Sequence, residues 1–201
     1  MDDNERSKKR KYLRKEEAKR LLDTLELNNT VNMDYLIMMM IKTGLRFSEA
    51  LAVTPEDFDF ETMKLTVNKA WDYKNGSDFV PTKNQCIRTI SIDKKLGMQM
   101  SELIKNLSPN VPVFVREKVC NSTYINFLAQ KCKQADIPVV GLHTLRHTHA
   151  FILLDEGVTI ASVLKRLGRS SMIITQNISC PVAAELEVRD NNIIINAMNS
   201  L

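Results

Sequence analysis

Residues 33–43, MDYLIMMMIKT, are apolar almost all the way round a helical wheel, and Gly44 follows at once. A helix with one apolar stripe lies on a surface, whereas one that is apolar on every side has to be surrounded. The pattern predicts a buried helix over 33–43, ended by Gly44 as a C-cap glycine. Lipid is not the cover: YLIMMMI at 35–41 is far shorter than the roughly 20 residues that span a bilayer, and no other apolar run reaches that length. The cover must be protein. A chain of 201 residues, 44% hydrophobic and 26% charged, is long and apolar enough to supply it as one sizeable domain or two small ones.

The flanking segments carry two different periods. LRKEEAKRLLDTLE at 13–26 places Leu13, Leu21, Leu22 and Leu25 near helical spacing, which predicts an amphipathic helix over 15–26. A short helix is expected from Ser48, with Glu49 in its first turn and Pro55 as its stop. Over 58–92 the period changes to two. KLTVNKAW and IRTISI alternate apolar with polar residues, KNGSD between them carries an Asn-Gly turn signal, and FVPTK lies between that turn and Cys86. This reads as an antiparallel sheet of about three strands with Lys83 near its second turn. Helical spacing returns over 93–107, 121–135, 144–156, 159–167, 171–178 and 184–199, with Gly157 and Gly168 as joints. The expected fold class is mainly α with a small antiparallel β-sheet.

Charge and cysteines narrow the function classes. The net charge is +4 and the pI about 8.8, a mild basic excess. It is concentrated in RSKKRKYLRK at 6–15. Residues 1–11 read as a basic linker or leader, and Lys8, Lys9, Arg10 and Lys11 are either a solvated lead-in to the first helix or an arm along nucleic-acid phosphates. The first twenty residues are charged rather than apolar, unlike a signal peptide, so a cytoplasmic setting without membrane attachment is expected. Cys86, Cys120, Cys132 and Cys180 form no C-x-x-C pair and are expected to be reduced thiols.

GLHTLRHTHA at 141–150 holds all three histidines of the chain. A metal site is the weaker reading. His143 and His147 share a helix face, His149 does not, no glutamate follows as in H-E-x-x-H, and no acid or thiol is near. An oxyanion site fits better. His143 and Arg146, three apart, reach one point beyond a helix N-terminus, where backbone N–H groups and the dipole already favour an anion. Arginine adds a planar fork matched to phosphate oxygens. Arg46, in TGLRFSEAL, is a second arginine beside a helix start. Arginines bonded to surface carboxylates remain the alternative for either one.

Taken in order, TGLRFSEALAVTPEDFDF, PTKNQCIRTISI and GLHTLRHTHAFILLDEGVTIASVLKRLGRSS resemble the first arginine box, the β-hairpin lysine segment and the H-x-x-R box of tyrosine recombinases, the phage and transposon integrase family. The resemblance runs from roughly residue 12 to 200 and implies that family's catalytic-domain fold over 12–201, with the N-terminal arm- and core-binding domains absent. It implies that Arg46 and Arg146 clamp the scissile phosphate and that His143 hydrogen-bonds it or assists proton transfer. Lys83 would protonate the departing 5′ oxygen, and Glu49 would support Arg46. In the family a tyrosine attacks the phosphate and forms a 3′-phosphotyrosine link, which needs neither cofactor nor metal. The partners implied are double-stranded DNA attachment sites and further copies of the chain, as a tetramer on DNA.

Two positions depart from the pattern. LGRSS places Arg169 where histidine is usual, and arginine is no neutral proton shuttle. TQNISCPVAAEL places Ser179 at the tyrosine position. The four tyrosines, Tyr12, Tyr35, Tyr73 and Tyr124, all precede the H-x-x-R box. A seryl oxygen lies closer to the backbone than a phenolic one and is far less acidic than a phenol, whose pKa is about 10. Two functions are therefore carried forward: an integrase catalytic domain with a damaged nucleophile position, and a DNA-binding remnant that keeps the phosphate cleft without cutting. A helical regulator with no nucleic-acid partner ranks below both, because it leaves Arg46, Lys83, His143 and Arg146 without a common purpose.

Overall fold

A computed structural model describes residues 12–75, 78–116 and 119–168. Helix α1 spans Lys15–Asp23, α2 Met33–Thr43 and α3 Phe47–Leu51. Five short strands follow: β1 Phe58–Asp59, β2 Lys64–Val67, β3 Lys69–Trp71, β4 Phe79–Pro81 and β5 Arg88–Ser91. Then come α4 Lys94–Ile104, α5 Asn121–Gln134, α6 Leu142–Asp155 and α7 Ile160–Leu167. The helices expected over 171–178 and 184–199 lie outside the described residues, as do Lys8, Lys9, Arg10, Lys11, Arg169 and Ser179.

Helix α2 is the centre of the molecule. Every residue from Tyr35 to Ile41 is buried, and α6, α3 and α5 pack around it. Each such side chain withdrawn from water stabilises the fold by about 1.5–3 kcal/mol before the entropy of ordering is set against it. Asn32 starts the helix, its side-chain oxygen accepting the Tyr35 N–H at 3.1 Å. Gly44 ends it at φ 71°, donating its N–H to the Met40 carbonyl at 2.9 Å. A Cβ at Gly44 would lie 2.6 Å from His149 Cδ2 and 2.8 Å from Leu167 Cδ2. The left-handed backbone and this close approach both require glycine.

The sheet differs from the expectation in one respect. KLTVNKAW is a long extended segment that changes partners at Asn68. Its first half, β2, lies between β1 and β5 in a three-stranded antiparallel sheet, with Leu65 opposite Ile90 and Val67 opposite Arg88. Its second half, β3, pairs with β4 in a separate two-stranded ribbon. The reason is local. A tight turn over Lys83–Gln85 interrupts the return strand, so β5 pairs only as far as Val67, and β4 with its ring-locked Pro81 takes the rest. The Trp71 ring packs edge-on against Phe79, centroids 5.0 Å apart, as sheet packing predicts.

Helix boundaries shift by small amounts. Helix α1 stops at Asp23, where Thr24 folds its hydroxyl onto the Leu21 carbonyl. Helix α3 begins at Phe47 and closes at Leu51, ahead of Pro55. Helix α6 begins at Leu142, which puts His143 in its first turn. The segment leading into α1 is tied to α6 by the Leu13 N–H, which donates to the Thr148 hydroxyl at 2.9 Å. Among the described residues, no helix is long and apolar enough to cross a membrane.

Candidate active site

Helices α2 and α3 are separated by a sharp break, and Arg46 is the residue at the break. It caps α3 in an extended conformation, φ −67° and ψ 154°. Glu49, one turn on, bends back so that Oε2 accepts the Arg46 N–H at 2.9 Å and Oε1 accepts the Arg46 guanidinium at 2.6 Å. One carboxylate thus holds both the backbone and the side chain of Arg46. The Glu49 side chain is 1% exposed and that of Arg46 19%, so the guanidinium keeps an open side.

Two more arginines reach the same carboxylate. Arg146, on α6, is 1% exposed. It donates to the Gly44 carbonyl at 2.8 Å and to the Leu167 carbonyl, and its Nη1 lies 3.7 Å from Glu49 Oε2. Arg88, on β5, places its fork on Glu49, 3.2 Å to Oε1 and 2.7 Å to Oε2, and donates Nε–H to the Arg166 carbonyl at 2.8 Å. Burial alone pushes the Glu49 carboxyl upward. The Arg88 hydrogen bonds and charge, then the Arg46 N–H and charge, outweigh it and hold the pKa at about 2. At neutral pH three guanidiniums face one carboxylate. Among the described residues these contacts join three positive charges to one negative charge, and an anion at the open side of Arg46 offsets that excess.

His149 lies beneath this cluster. Arg166 donates Nε–H to His149 Nε2 at 2.9 Å, so that nitrogen is the acceptor and Nδ1 carries the proton, donating to the Ile41 carbonyl at 2.8 Å. Burial, followed by the Arg166 charge, lowers its pKa to about 4. His149 is therefore a neutral spacer between the ends of α2 and α7. His143 is exposed and His147 half-buried, their rings perpendicular with centroids 4.6 Å apart. Among the described residues no three His, Cys, Asp or Glu side chains gather as metal ligands would.

Lys83 is exposed in the turn between β4 and β5. Thr82 locks that turn by donating its hydroxyl to the Cys86 carbonyl at 2.9 Å. The turn meets the end of α7: Gly168, at φ 66°, closes that helix, and a Cβ there would lie 3.2 Å from Cys86 Sγ and 3.0 Å from Arg88 Nη1. Arg46, Glu49 and Arg146 are thus joined by direct contact. His143 stands one turn before Arg146 on α6, and the Lys83 turn adjoins through Cys86 and Arg88.

Arg88 and Arg166 belong to this cluster without standing out as site residues in the sequence. Arg88 left a signal: in IRTISI it falls in step with Ile90, on the inward face of a strand whose burial alternates residue by residue. A charge at an inward position needs a buried partner. Arg166 left none, since a basic residue in the last turn of a helix is ordinary.

Comparison with known proteins gives a consistent answer. A model of the phage integrase family matches residues 11–178. The ICEBs1 integrase of Bacillus subtilis is 27% identical over 184 residues, covering 84% of this chain and 50% of that protein. The tyrosine recombinase XerA of Pyrococcus furiosus is 29% identical over 173 residues, covering 83% of this chain and 56% of that one. The chain therefore spans about half the length of these relatives. In three dimensions a crystal structure of XerA recombinase superposes with a TM-score of 0.69 at 21% identity, covering 94% of this chain and 66% of that one. The Tn1549 transposon integrase in complex with circular intermediate DNA gives 0.69 at 18% identity, covering 91% and 68%. These structures share the fold.

Proposed function

The chain belongs to the phage integrase family, and on that premise we propose that residues 12–201 are the catalytic domain of a site-specific recombinase that cuts and rejoins duplex DNA by transesterification at a scissile phosphate. The observation that carries this reading is the gathering of Arg46, Arg88 and Arg146 on Glu49, with Arg46 facing outward. The phosphodiester is the anion that this excess of positive charge calls for. Arg46 holds a non-bridging oxygen from its open side; Arg146, 1% exposed and bonded to the Gly44 and Leu167 carbonyls, joins it by turning an N–H out of that pocket, and the hold of both strengthens as charge builds on those oxygens in the transition state. His143 donates to the same phosphate or relays a proton. Lys83, on its exposed turn, gives a proton to the 5′ oxygen as the P–O bond breaks. Arg169 adds a further donor where the family has histidine.

The nucleophile belongs at residue 179. In the family a tyrosine oxygen there attacks phosphorus, the 5′ hydroxyl leaves, and the phosphoryl stays on the protein until the reverse step rejoins the strands; Ser179, shorter in reach and far less acidic than a phenol, leaves this chain cutting poorly or not at all. No cofactor is required, because the covalent link keeps the energy of the broken bond. The substrates are double-stranded attachment sites in the cytoplasm, and four copies act on two duplexes. The basic run Lys8, Lys9, Arg10 and Lys11 lies along neighbouring phosphates.

A second reading, a DNA-binding remnant that does not cut, is favoured by the serine at 179 and by the lack of any tyrosine after Tyr124. One experiment separates the two. The chain and its Ser179→Tyr variant are incubated with a pool of nicked suicide duplexes of randomised sequence, and covalent protein–DNA species are counted on denaturing gels. Trapping by Ser179→Tyr alone supports a recombinase domain with a lost nucleophile. Equal trapping by the unmodified chain shows that it cuts as it stands, and trapping by neither leaves the remnant as the function.

A further inference from the structure

Arg88 stands at a junction that the catalytic roles above leave unexplained. Its guanidinium makes three directed contacts, two to the Glu49 carboxylate oxygens and one to the Arg166 carbonyl. Its side chain is 6% exposed, and its Nε–H and both Nη atoms are already directed at the Arg166 carbonyl and the Glu49 carboxylate. Gly168 lies against it, 3.0 Å from Nη1 and 3.1 Å from Cδ to the position a Cβ would take. From Gly168 the chain leads directly to Arg169. On the other side, Arg88 opens β5, the strand that follows the Lys83 turn.

Resting on the recombinase reading, we infer that Arg88 is a positioning residue: it fixes the Glu49 carboxylate, and through it the aim of Arg46, while tying the end of α7 and the Lys83 strand to the same point. Glu49 accepts from Arg46 twice, through backbone and side chain. Without Arg88 the carboxylate keeps only Arg46, which turns with it, and the longer 3.7 Å approach of Arg146. The Arg88 fork, running between two planar groups, removes that freedom, because both carboxylate oxygens are occupied from a fixed strand. Lysine does not replace it. A single ammonium cannot meet both oxygens and the Arg166 carbonyl in the directions that the guanidinium does.

Coupling between Arg88 and Arg46 separates positioning from bulk stabilisation. If Arg88 acts on DNA through Glu49 and Arg46, its loss and the loss of Arg46 remove one and the same contact, and their effects do not add. The test measures duplex-DNA affinity against salt for the chain, Arg46→Gln, Arg88→Gln and the double variant, each confirmed folded by thermal unfolding. Arg46→Gln should lower the slope of log Kd against log salt by about one phosphate contact. Arg88→Gln, although buried, should lower it by the same amount and weaken binding roughly tenfold, as loss of a charge-assisted hydrogen bond does. The double variant should be no worse than either single one. Where Arg88→Gln does not fold, Arg88→Lys replaces it in the same cycle. An unchanged slope in the Arg88 variant, or losses that add, overturns the assignment to Arg88 while the DNA reading stands. Salt-independent or absent binding by the unmodified chain overturns the DNA reading and this assignment with it.

Discussion

The two ends of α2 both bury charge, and they do so differently. At the N-terminal end Lys131, from α5, lies 3.1 Å from Asp34 and donates to the Thr24 carbonyl at 3.2 Å. Both side chains are almost out of water, 5% and 7% exposed. One cation meets one buried anion and the backbone, with the exposed Glu26 carboxylate 3.4 Å away. That arrangement is closed. At the C-terminal end, among the described residues, three arginines meet one glutamate, and Arg46 is the most exposed of the three. That arrangement is open to an anion. The lesson is that buried ion pairs mark function when their charges fail to balance, not because they are buried.

The largest expected effect comes from removing the one anion of the open end. Glu49→Gln leaves Arg88 and Arg146 buried without their counter-charge, and the fold should lose about 3–5 kcal/mol in denaturant unfolding. Added DNA should restore part of that loss, because a phosphate supplies the missing charge. Asp34→Asn should destabilise by a similar class of effect, with no recovery on adding DNA.

Acid comes next. His149 titrates near 4 in the folded chain against an ordinary 6.5, so the unfolded chain binds more protons between those values. Its contribution is complete above about pH 6.5, falls as pH drops, and is gone near pH 4. The shift corresponds to about 3 kcal/mol. Glu49 extends the same trend to lower pH, since its stabilisation is full above 4.5 and is lost toward about 2. Hydrogen exchange at pH 5 should show the C-terminal end of α2, at Thr43 to Leu45, opening before its N-terminal end at Tyr35. Equal protection at both ends would remove the distinction.

Gly44→Ala should be smaller, about 1–3 kcal/mol in thermal unfolding, from positive φ and from the His149 ring in the way. It should also weaken DNA binding, because the Gly44 carbonyl orients Arg146. The smallest effect is expected at the closed end. Replacing Lys131 and Asp34 together by Met and Leu should change stability by no more than about 1 kcal/mol, since a balanced buried pair gains little over apolar packing. A large loss there would mean that the two ends are not so different.

Much of this architecture is legible in the residues. The all-round apolarity of 33–43 requires a central helix, and Gly44 marks its end because no other residue sits easily at that φ beside the His149 ring. Arg46 and Arg146 stand out by residue type and helix position, Glu49 by the family resemblance, and the three do meet. What stayed hidden depends on three-dimensional pairing. The partner exchange at Asn68 follows from where the return strand is interrupted, which alternation alone does not encode. Arg88 is read as one charge in an alternating strand until Glu49 is placed beside it. The neutral state of His149 follows from Arg166, seventeen residues along the chain.

Arg46, Lys83, His143 and Arg146, distant in sequence, are proposed to serve a single phosphodiester. A structure of the chain bound to duplex DNA tests it most directly. The account predicts one backbone phosphate whose non-bridging oxygens lie within about 3.2 Å of nitrogens of both Arg46 and Arg146, with the His143 imidazole on the same phosphate and Lys83 beside its 5′ oxygen. A duplex seated on another face, with these four side chains on different phosphates or on none, would contradict it.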